Sequence, residues 1–112
     1  MRAEVLKGHL DALLLASLDD GPRHGYAVKE ALRAGSGGRI DLPTGTIYPA
    51  LRRLEQAGMI RGTWDTTGAR PRRTYQLTAA GRRALSGERD SWRDFSATVS
   101  ALLEGRPCPG TS

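Results

Sequence analysis

The sequence predicts a mainly α-helical fold with a small β-hairpin, arranged as a winged helix-turn-helix followed by one long C-terminal helix. Three observations indicate this fold. Two helical segments lie either side of a glycine-rich turn, two strand-like segments flank an arginine-rich turn, and a heptad pattern fills the last helical segment. We therefore expect a winged helix in residues 1–78, a helix in residues 79–104 and a flexible tail in residues 105–112.

The first two helical segments carry apolar residues at helical spacing. DDGPR ends the first, because glycine and proline do not continue a helix, and HGYAVKEALRAG predicts a second that His24 caps. After the GSGG turn we expect RIDLP to be a short strand, since Pro43 disfavours a helix at Leu42. The apolar stripe of the first segment comprises Leu6, Leu10, Leu13, Leu14 and Leu18.

GTIYPALRRLEQAG, residues 45–58, predicts a third helix with both ends marked. Thr44 or Thr46 is a suitable N-cap, and Pro49 falls at or near the first turn, where its missing N–H removes no helical hydrogen bond. Gly58 stands where a left-handed residue ends a helix in a Schellman arrangement. The inner stripe consists of Ile47, Leu51 and Leu54.

Two strand-like segments follow. IRGTWDT places Ile60 and Trp64 on one face, and RRTYQLT places Tyr75 and Leu77 on one face. Because TGARP between them predicts a turn, the hairpin should carry three arginines near its tip: Arg70, Arg72 and Arg73. A hairpin directly after a helix-turn-helix predicts a wing.

The last helix is expected to begin at a Thr78 N-cap and to cover residues 79–104. Its apolar residues fit a and d places of a heptad pattern that Glu88 interrupts. A lone helix with an exposed apolar seam would be a liability, so we expect a homodimerisation helix, with the partner's first helix contributing. The expected dimer interface comprises Leu6, Leu10, Leu85, Trp92, Phe95, Val99 and Leu102.

Composition limits the class of protein. The 112 residues suffice for one domain with a modest core. The longest apolar run, residues 12–16, is too short to cross a membrane, and the first residues do not resemble a signal peptide. A single cysteine, Cys108, excludes an internal disulfide and fits a reducing cytoplasm. One cysteine and two histidines provide no convincing metal site, and we expect no cofactor.

Positive charge is concentrated in one block. Residues 50–83 hold eight arginines against Glu55 and Asp65, a local net charge of +6, whereas the whole chain has a formal net charge of +5. A basic block between near-neutral flanks indicates an anionic partner such as nucleic acid. Composition alone would favour the plainer interpretation, a solubilising surface.

Two groups of polar side chains are candidate DNA contacts. On the third helix they lie away from the apolar stripe, where hydroxyl and guanidinium groups can bond phosphates or base edges. On the hairpin, closely spaced arginines are expected to follow the sugar-phosphate backbone or the minor groove. For both groups the alternative is a surface that faces only water. The candidates are Thr44, Thr46, Tyr48, Arg52, Arg53, Arg70, Arg72 and Arg73.

The stretches LLLASLDDGPRHGYAVKEAL, LPTGTIYPALRRLEQAGMI and RPRRTYQLTAAGRRAL resemble the PadR family of bacterial transcriptional regulators. The resemblance implies a homodimeric DNA-binding repressor that dimerises through its C-terminal helix. The short single final helix is similar to the small subfamily, which includes the lactococcal multidrug-binding regulator. In that branch a tryptophan of the last helix lines a drug pocket at the dimer centre, and Trp92 falls at the matching place.

Trp92 and Phe95 are therefore the candidate effector site, although aromatic a and d residues commonly only pack an interface. The sequence as a whole predicts a sequence-specific repressor that binds an inverted repeat in double-stranded DNA and is released by a small, planar aromatic effector. The alternative is a winged-helix protein–protein interaction module without specific DNA binding. An enzyme is not expected, because His24 has no nucleophile or paired carboxylate beside it.

Overall fold

A computed structural model describes residues 3–107, and this part of the chain contains five helices and three strands. In chain order they are α1 (Ala3–Leu6), α2 (Leu10–Ser17), β1 (Arg23–His24), α3 (Gly25–Gly35), α4 (Thr44–Gln56), β2 (Ile60–Asp65), β3 (Arg72–Leu77) and α5 (Ala79–Glu104). The predicted fold class, mainly helical with a small antiparallel sheet, is confirmed. No helix in this part of the chain is long and apolar enough to cross a membrane. Cys108 and the end of the predicted tail lie outside the described residues.

The first predicted helix is divided in two. α1 ends at Leu6, Gly8 has a φ of +86°, and α2 begins at Leu10. A glycine adopts this left-handed conformation without the clash that a β-carbon causes, so the chain turns there. Leu6 and Leu14 both reach the core in spite of the break, which explains why the leucine stripe predicts one continuous helix.

The helix-turn-helix consists of α3 and α4. The backbone of His24 is the N-cap of α3, but its side chain makes no capping hydrogen bond. RIDLP is not a strand, contrary to the prediction, although Leu42 within it is buried. The third strand is instead β1, which pairs antiparallel with β3 through Arg23 opposite Tyr75. A strand forms where a neighbour can take its backbone hydrogen bonds, and the segment before α3 finds that neighbour in β3.

α4 begins at Thr44, one residue before the predicted range of 45–58. Pro43 is the N-cap, and its carbonyl oxygen accepts hydrogen bonds from the N–H groups of Thr46 and Ile47 at 2.9 and 3.1 Å. Pro49 therefore lies in the second turn, where it cannot donate to the carbonyl oxygen of Gly45. The prediction that a threonine side chain caps this helix and that Pro49 marks its start is wrong.

The end of α4 has the predicted Schellman geometry. Gly58 has a φ of +78°, the N–H of Met59 donates to the carbonyl oxygen of Leu54, and the N–H of Gly58 donates to that of Glu55. The chain then enters β2, and the sheet has the order β1-β3-β2 with both pairings antiparallel.

The core lies between the helix-turn-helix, α2, the base of the sheet and the start of α5. Thr78 caps α5 as predicted, since its Oγ1 accepts a hydrogen bond from the N–H of Gly81 at 3.1 Å. α5 covers the predicted residues 79–104, but beyond Leu85 it contributes no buried residue. The core residues are Leu6, Leu14, Leu15, Leu18, Val28, Leu42, Ile47, Ala50, Leu51, Leu54, Ile60, Tyr75, Leu77 and Leu85.

Candidate nucleic-acid interface

The buried stripe of α4 determines which side chains face outward. Because a helix turns by 100° per residue, Thr44, Tyr48 and Arg52 lie on one outer flank, whereas Thr46 and Arg53 lie on the other. Thr46 is half-buried and the other four are exposed. The stripe itself is Ile47, Ala50, Leu51 and Leu54. The five predicted contacts therefore lie on the half of the helix that faces away from the core, but they do not form a single row along it.

The two arginines of α4 have different surroundings. The guanidinium of Arg53 lies 3.7 Å from the carboxylate of Asp11 on α2, and both side chains are mostly exposed. An exposed pair of this kind is worth at most about 1 kcal/mol, so a phosphate could readily replace the carboxylate. Within residues 3–107 Arg52 forms no salt bridge. Arg52 is thus the α4 cation that faces solvent without an acidic partner among these residues.

Tyr48 packs against the backbone of Gly25 at the start of α3. A β-carbon at position 25 would overlap the tyrosine ring, whose Cζ lies 3.0 Å from that point. The glycine therefore allows the two helices of the helix-turn-helix to approach closely while Tyr48 keeps 40% of its surface exposed. Sequence reasoning missed Gly25, although a glycine between His24 and Tyr26 at a helix start is a signal for such an approach.

A groove of about 690 Å³ separates the helix-turn-helix from the hairpin. Tyr26, Glu30 and Tyr48 line its helical side, and Pro71, Arg72 and Arg73 line the hairpin side. The sequence leaves Tyr26 as either a packing residue or a phosphate contact, and the side chain is 59% exposed in this groove. Two tyrosines on one wall and two arginines on the other suit a sugar-phosphate strand, and the two arginines outnumber the one carboxylate, that of Glu30.

The arginine side chains of the hairpin do not all point to the same face of the sheet. Trp64 lies opposite Arg73 and Asp65 lies opposite Arg72 in the register, so the two adjacent arginines point to opposite faces of the sheet. Arg72 is exposed, as is Arg70 in the loop before β3. Neither forms a salt bridge within the described part of the chain.

Arg73 is engaged within the chain. Its Nη2 donates to Oε2 of Glu55 on α4, and its Cζ lies 5.5 Å from the centre of the Trp64 ring. Trp64 shares the face of Ile60 as predicted, but β2 extends beyond the core there, and the indole is 65% exposed. The structure therefore brings Arg70 and Arg72 to the open surface and holds Arg73 against α4.

His24 connects β1 to the hairpin. Its Nδ1 lies 3.1 Å from Oγ1 of Thr74, and its Nε2 lies 3.6 Å from Oδ2 of Asp65. The side chain and backbone of Thr67 donate hydrogen bonds to Asp65 and hold the pKa of that carboxyl below its ordinary value. The contacts of His24 and Asp65 therefore hold β1 and the hairpin together. Among residues 3–107 no group of three or more His, Cys, Asp or Glu side chains is placed to hold a metal ion.

The second half of α5 exposes an apolar seam. Trp92 and Phe95 are 55% and 58% exposed, and their rings lie 6.1 Å apart. Leu102 is 79% exposed, whereas Val99 is half-buried. Three other residues are predicted for a dimer interface. Leu10 is half-buried, whereas Leu6 and Leu85 are buried in the core of the chain itself. Leu6 and Leu85 therefore have little exposed surface with which to contact a partner.

Comparison with known proteins places this geometry in a family. The model of the transcriptional regulator PadR-like family matches residues 14–87. A solved PadR family transcriptional regulator from Eggerthella lenta is 35% identical, has a TM-score of 0.79, and is matched over 91% of this chain and 88% of that one. A transcriptional regulator of Mycobacterium tuberculosis is 34% identical over 77 residues, which are 69% of this chain and 59% of the relative. A transcriptional regulator from Clostridium thermocellum, 21% identical, shares the fold with a TM-score of 0.82 over 92% of this chain and 98% of that one.

Proposed function

The chain belongs to the PadR-like family of transcriptional regulators, and from this premise we propose that it is a sequence-specific, dimeric repressor released from DNA by a small molecule. One observation carries the proposal: Tyr48 on the outer flank of α4 and Arg72 of the wing lie on either side of one open groove. Arg52, Arg70 and Arg72 form no salt bridge within residues 3–107. Three exposed arginines without an acidic partner in that range, one of which, Arg72, lines the groove, favour a phosphate backbone as the partner.

α4 is the proposed recognition helix. In a major groove, its threonines and tyrosine would bond phosphates, while its arginines would reach phosphates or guanine edges. The wing would follow the adjoining backbone or enter the minor groove. The proposed contacts are Thr44, Thr46, Tyr48, Arg52, Arg53, Arg70, Arg72 and Arg73.

The exposed seam of α5 supports a homodimer. Trp92, Phe95 and Leu102 expose more than half of their surfaces along one side of the helix, and a second copy would remove that apolar area from water. A two-fold dimer presents two copies of α4, so we expect an inverted-repeat operator with half-sites about ten base pairs apart.

Trp92 and Phe95 form the proposed effector site. Near a two-fold axis each indole would face its own copy, and a flat aromatic molecule could stack between the two. Glu88 and Asp94 lie within about one helical turn and would favour a cationic ring, which also gains from the indole faces. The similarity to the lactococcal multidrug-binding regulator stays a prediction, as does the effector itself.

The DNA proposal is tested by selecting bound fragments from sheared genomic DNA, sequencing them, and measuring affinity for the selected site and for random duplex. Arg52→Ala should weaken binding to the selected site and, if the side chain reads a base, change the preferred base at one position. Arg93→Ala is the matched control, because it removes the same charge from an exposed α5 residue that pairs with Asp90. Failure to bind either duplex in a salt-dependent manner would contradict the proposal and favour a protein–protein module instead.

The effector site is tested by the emission of Trp92 in a Trp64→Phe background, which leaves one tryptophan. Titration with planar cations such as ethidium should give saturable quenching that disappears in Trp92→Ala while the dimer survives. Emission that no planar compound alters, and that is blue-shifted as in a dry core, would show that Trp92 only packs the interface.

A further inference from the structure

The ion pair between Arg73 and Glu55 joins the wing to the recognition helix. Arg73 lies on β3 and Glu55 lies in the last turn of α4. Only 33% and 28% of the two side chains are exposed, in contrast to the exposed side chains of Arg70 and Arg72. Partial burial reduces screening by water and salt, so this pair is held more firmly than an ion pair on the open surface.

Gly62 on β2 provides the space that the pair needs. A β-carbon at position 62 would lie 2.8 Å from Nε of Arg73 and 2.9 Å from Oε2 of Glu55. The Arg73 side chain therefore crosses β2 at the one position of that strand without a side chain, and the Trp64 ring lies beside its guanidinium at 5.5 Å. Three elements, α4, β2 and β3, meet around one guanidinium.

The wing needs such a connection because its outer half has little core contact. Ile60, Tyr75 and Leu77 are buried at the base of the hairpin, but no residue between Arg61 and Thr74 is buried. A two-stranded ribbon is only marginally stable by itself in water. On one edge β1 and His24 support the ribbon, and from the face that carries the Arg73 side chain the Arg73–Glu55 pair connects the ribbon to α4.

We propose that Arg73 is a positioning residue, which fixes the angle between wing and recognition helix through Glu55, and that it is not one of the DNA contacts. This inference rests on the proposed function and revises one of its residues. Arg70 and Arg72 can meet the backbone only if the wing is held at the right angle to α4. A guanidinium whose charge Glu55 already balances adds little attraction for a phosphate.

The first experiment uses the free protein and requires no DNA. In a Trp92→Phe background Trp64 is the remaining tryptophan, and its quenching by acrylamide reports how well the guanidinium covers the indole. Glu55→Gln should increase the quenching constant, as should Arg73→Ala, whereas Arg72→Ala should leave it unchanged. The reversed pair Glu55→Arg with Arg73→Glu should restore much of the protection. Unchanged quenching in Glu55→Gln would overturn the proposal.

The second experiment measures DNA binding, and the two roles of Arg73 predict opposite changes in the operator affinity of Glu55→Gln. If Arg73 positions the wing, Glu55→Gln should lower affinity for the selected operator by about tenfold, the scale of coupled neighbouring residues. If Arg73 contacts DNA, Glu55→Gln removes a competing carboxylate and raises that affinity. Arg72→Ala should reduce the salt slope by about one unit on random duplex, and Arg73→Ala should leave that slope close to the parent's.

The two experiments separate failure of this inference from failure of the proposed function. If the parent binds neither operator nor random duplex, the proposed function fails, and Trp64 quenching still decides whether the pair holds the wing. If the parent binds DNA but Arg73→Ala lowers the salt slope as much as Arg72→Ala, the positioning role is wrong and the DNA-binding proposal stands. Circular dichroism of each variant confirms that it is folded.

Discussion

Replacing Phe95 by glutamate is the sharpest perturbation of the proposed dimer. Phe95 lies in the exposed seam of α5, beside Trp92, and makes no part of the core. Phe95→Glu should therefore leave the folded single chain intact and separate two chains.

The magnitude follows from the exposed surface. A phenylalanine buries at least about 150 Å² when enclosed, and Phe95 exposes 58% of its surface, so a partner could cover roughly 90 Å² of it. At about 25 cal/mol per Å² this contributes about 2 kcal/mol per copy and about 4 kcal/mol per dimer. Two glutamates placed in an apolar seam would add at least about 1 kcal/mol each. The sum, about 6 kcal/mol, raises the dimer dissociation constant by roughly 10⁴-fold.

Light scattering coupled to size exclusion, performed at micromolar concentration, measures this change directly. Ser86→Glu is the matched control, because it adds the same charge to an exposed α5 residue on the side opposite Phe95. We expect a dimer for the parent and for Ser86→Glu, and a folded monomer for Phe95→Glu. A parent that remains monomeric, or a Phe95→Glu protein that remains dimeric, would refute the assignment of this seam.

Two further predictions concern stability. Gly81→Ala should lower the free energy of unfolding by about 3 kcal/mol, because a β-carbon there would overlap the carbonyl oxygen of Met59. Gly87→Ala should raise it by up to about 1 kcal/mol, because a β-carbon there would have no atom within 4 Å. Equal effects of the two variants in urea unfolding would contradict this packing. The hydrogen bond to Asp41 raises the pKa of Lys29, and Lys29 lowers the pKa of Asp41. The contribution of the lysine to the free energy of unfolding is therefore lost as pH rises through its raised pKa. The contribution of the aspartate is lost as pH falls through its lowered pKa. The stability difference between parent and Lys29→Met should thus be constant near neutral pH and shrink in acid and in strong base; a difference that persists in strong acid would count against the pair.

Local signals in the sequence identified most of the helix ends and strands correctly. Gly58 and Thr78 each satisfy backbone groups within a few residues, so their roles can be read without knowing the rest of the fold. The strand patterns around Ile60 and Tyr75 are similarly local, and both strands form as predicted. Recognition of these elements in order was sufficient to predict a winged helix.

The predictions that failed depend on contacts between distant segments. β1 exists because β3 lies beside it, about fifty residues later in the chain, and nothing in a two-residue strand signals this. The start of α4 at Thr44 places Pro49 inside the helix, where tertiary packing of the buried stripe outweighs one missing hydrogen bond. The role of Arg73 was obscured for the same reason, since its partner Glu55 is 18 positions away.

Contacts between α5 and α2 offer a route by which the proposed effector would act on the proposed DNA contacts. The middle of α5 touches both ends of α2, through an edge-to-face contact of Trp92 with His9 at 5.6 Å and a 3.1 Å bond from Arg89 to Asp19. α2 in turn meets α4, the proposed recognition helix, where Asp11 pairs with Arg53. We expect a ligand that turned the indole away from His9 to remove one of these two contacts with α2 and so to change how α2 meets α4. Tight binding alone would not suffice, because a ligand shifts the protein away from DNA only to the extent that it binds the altered arrangement better than the DNA-bound one.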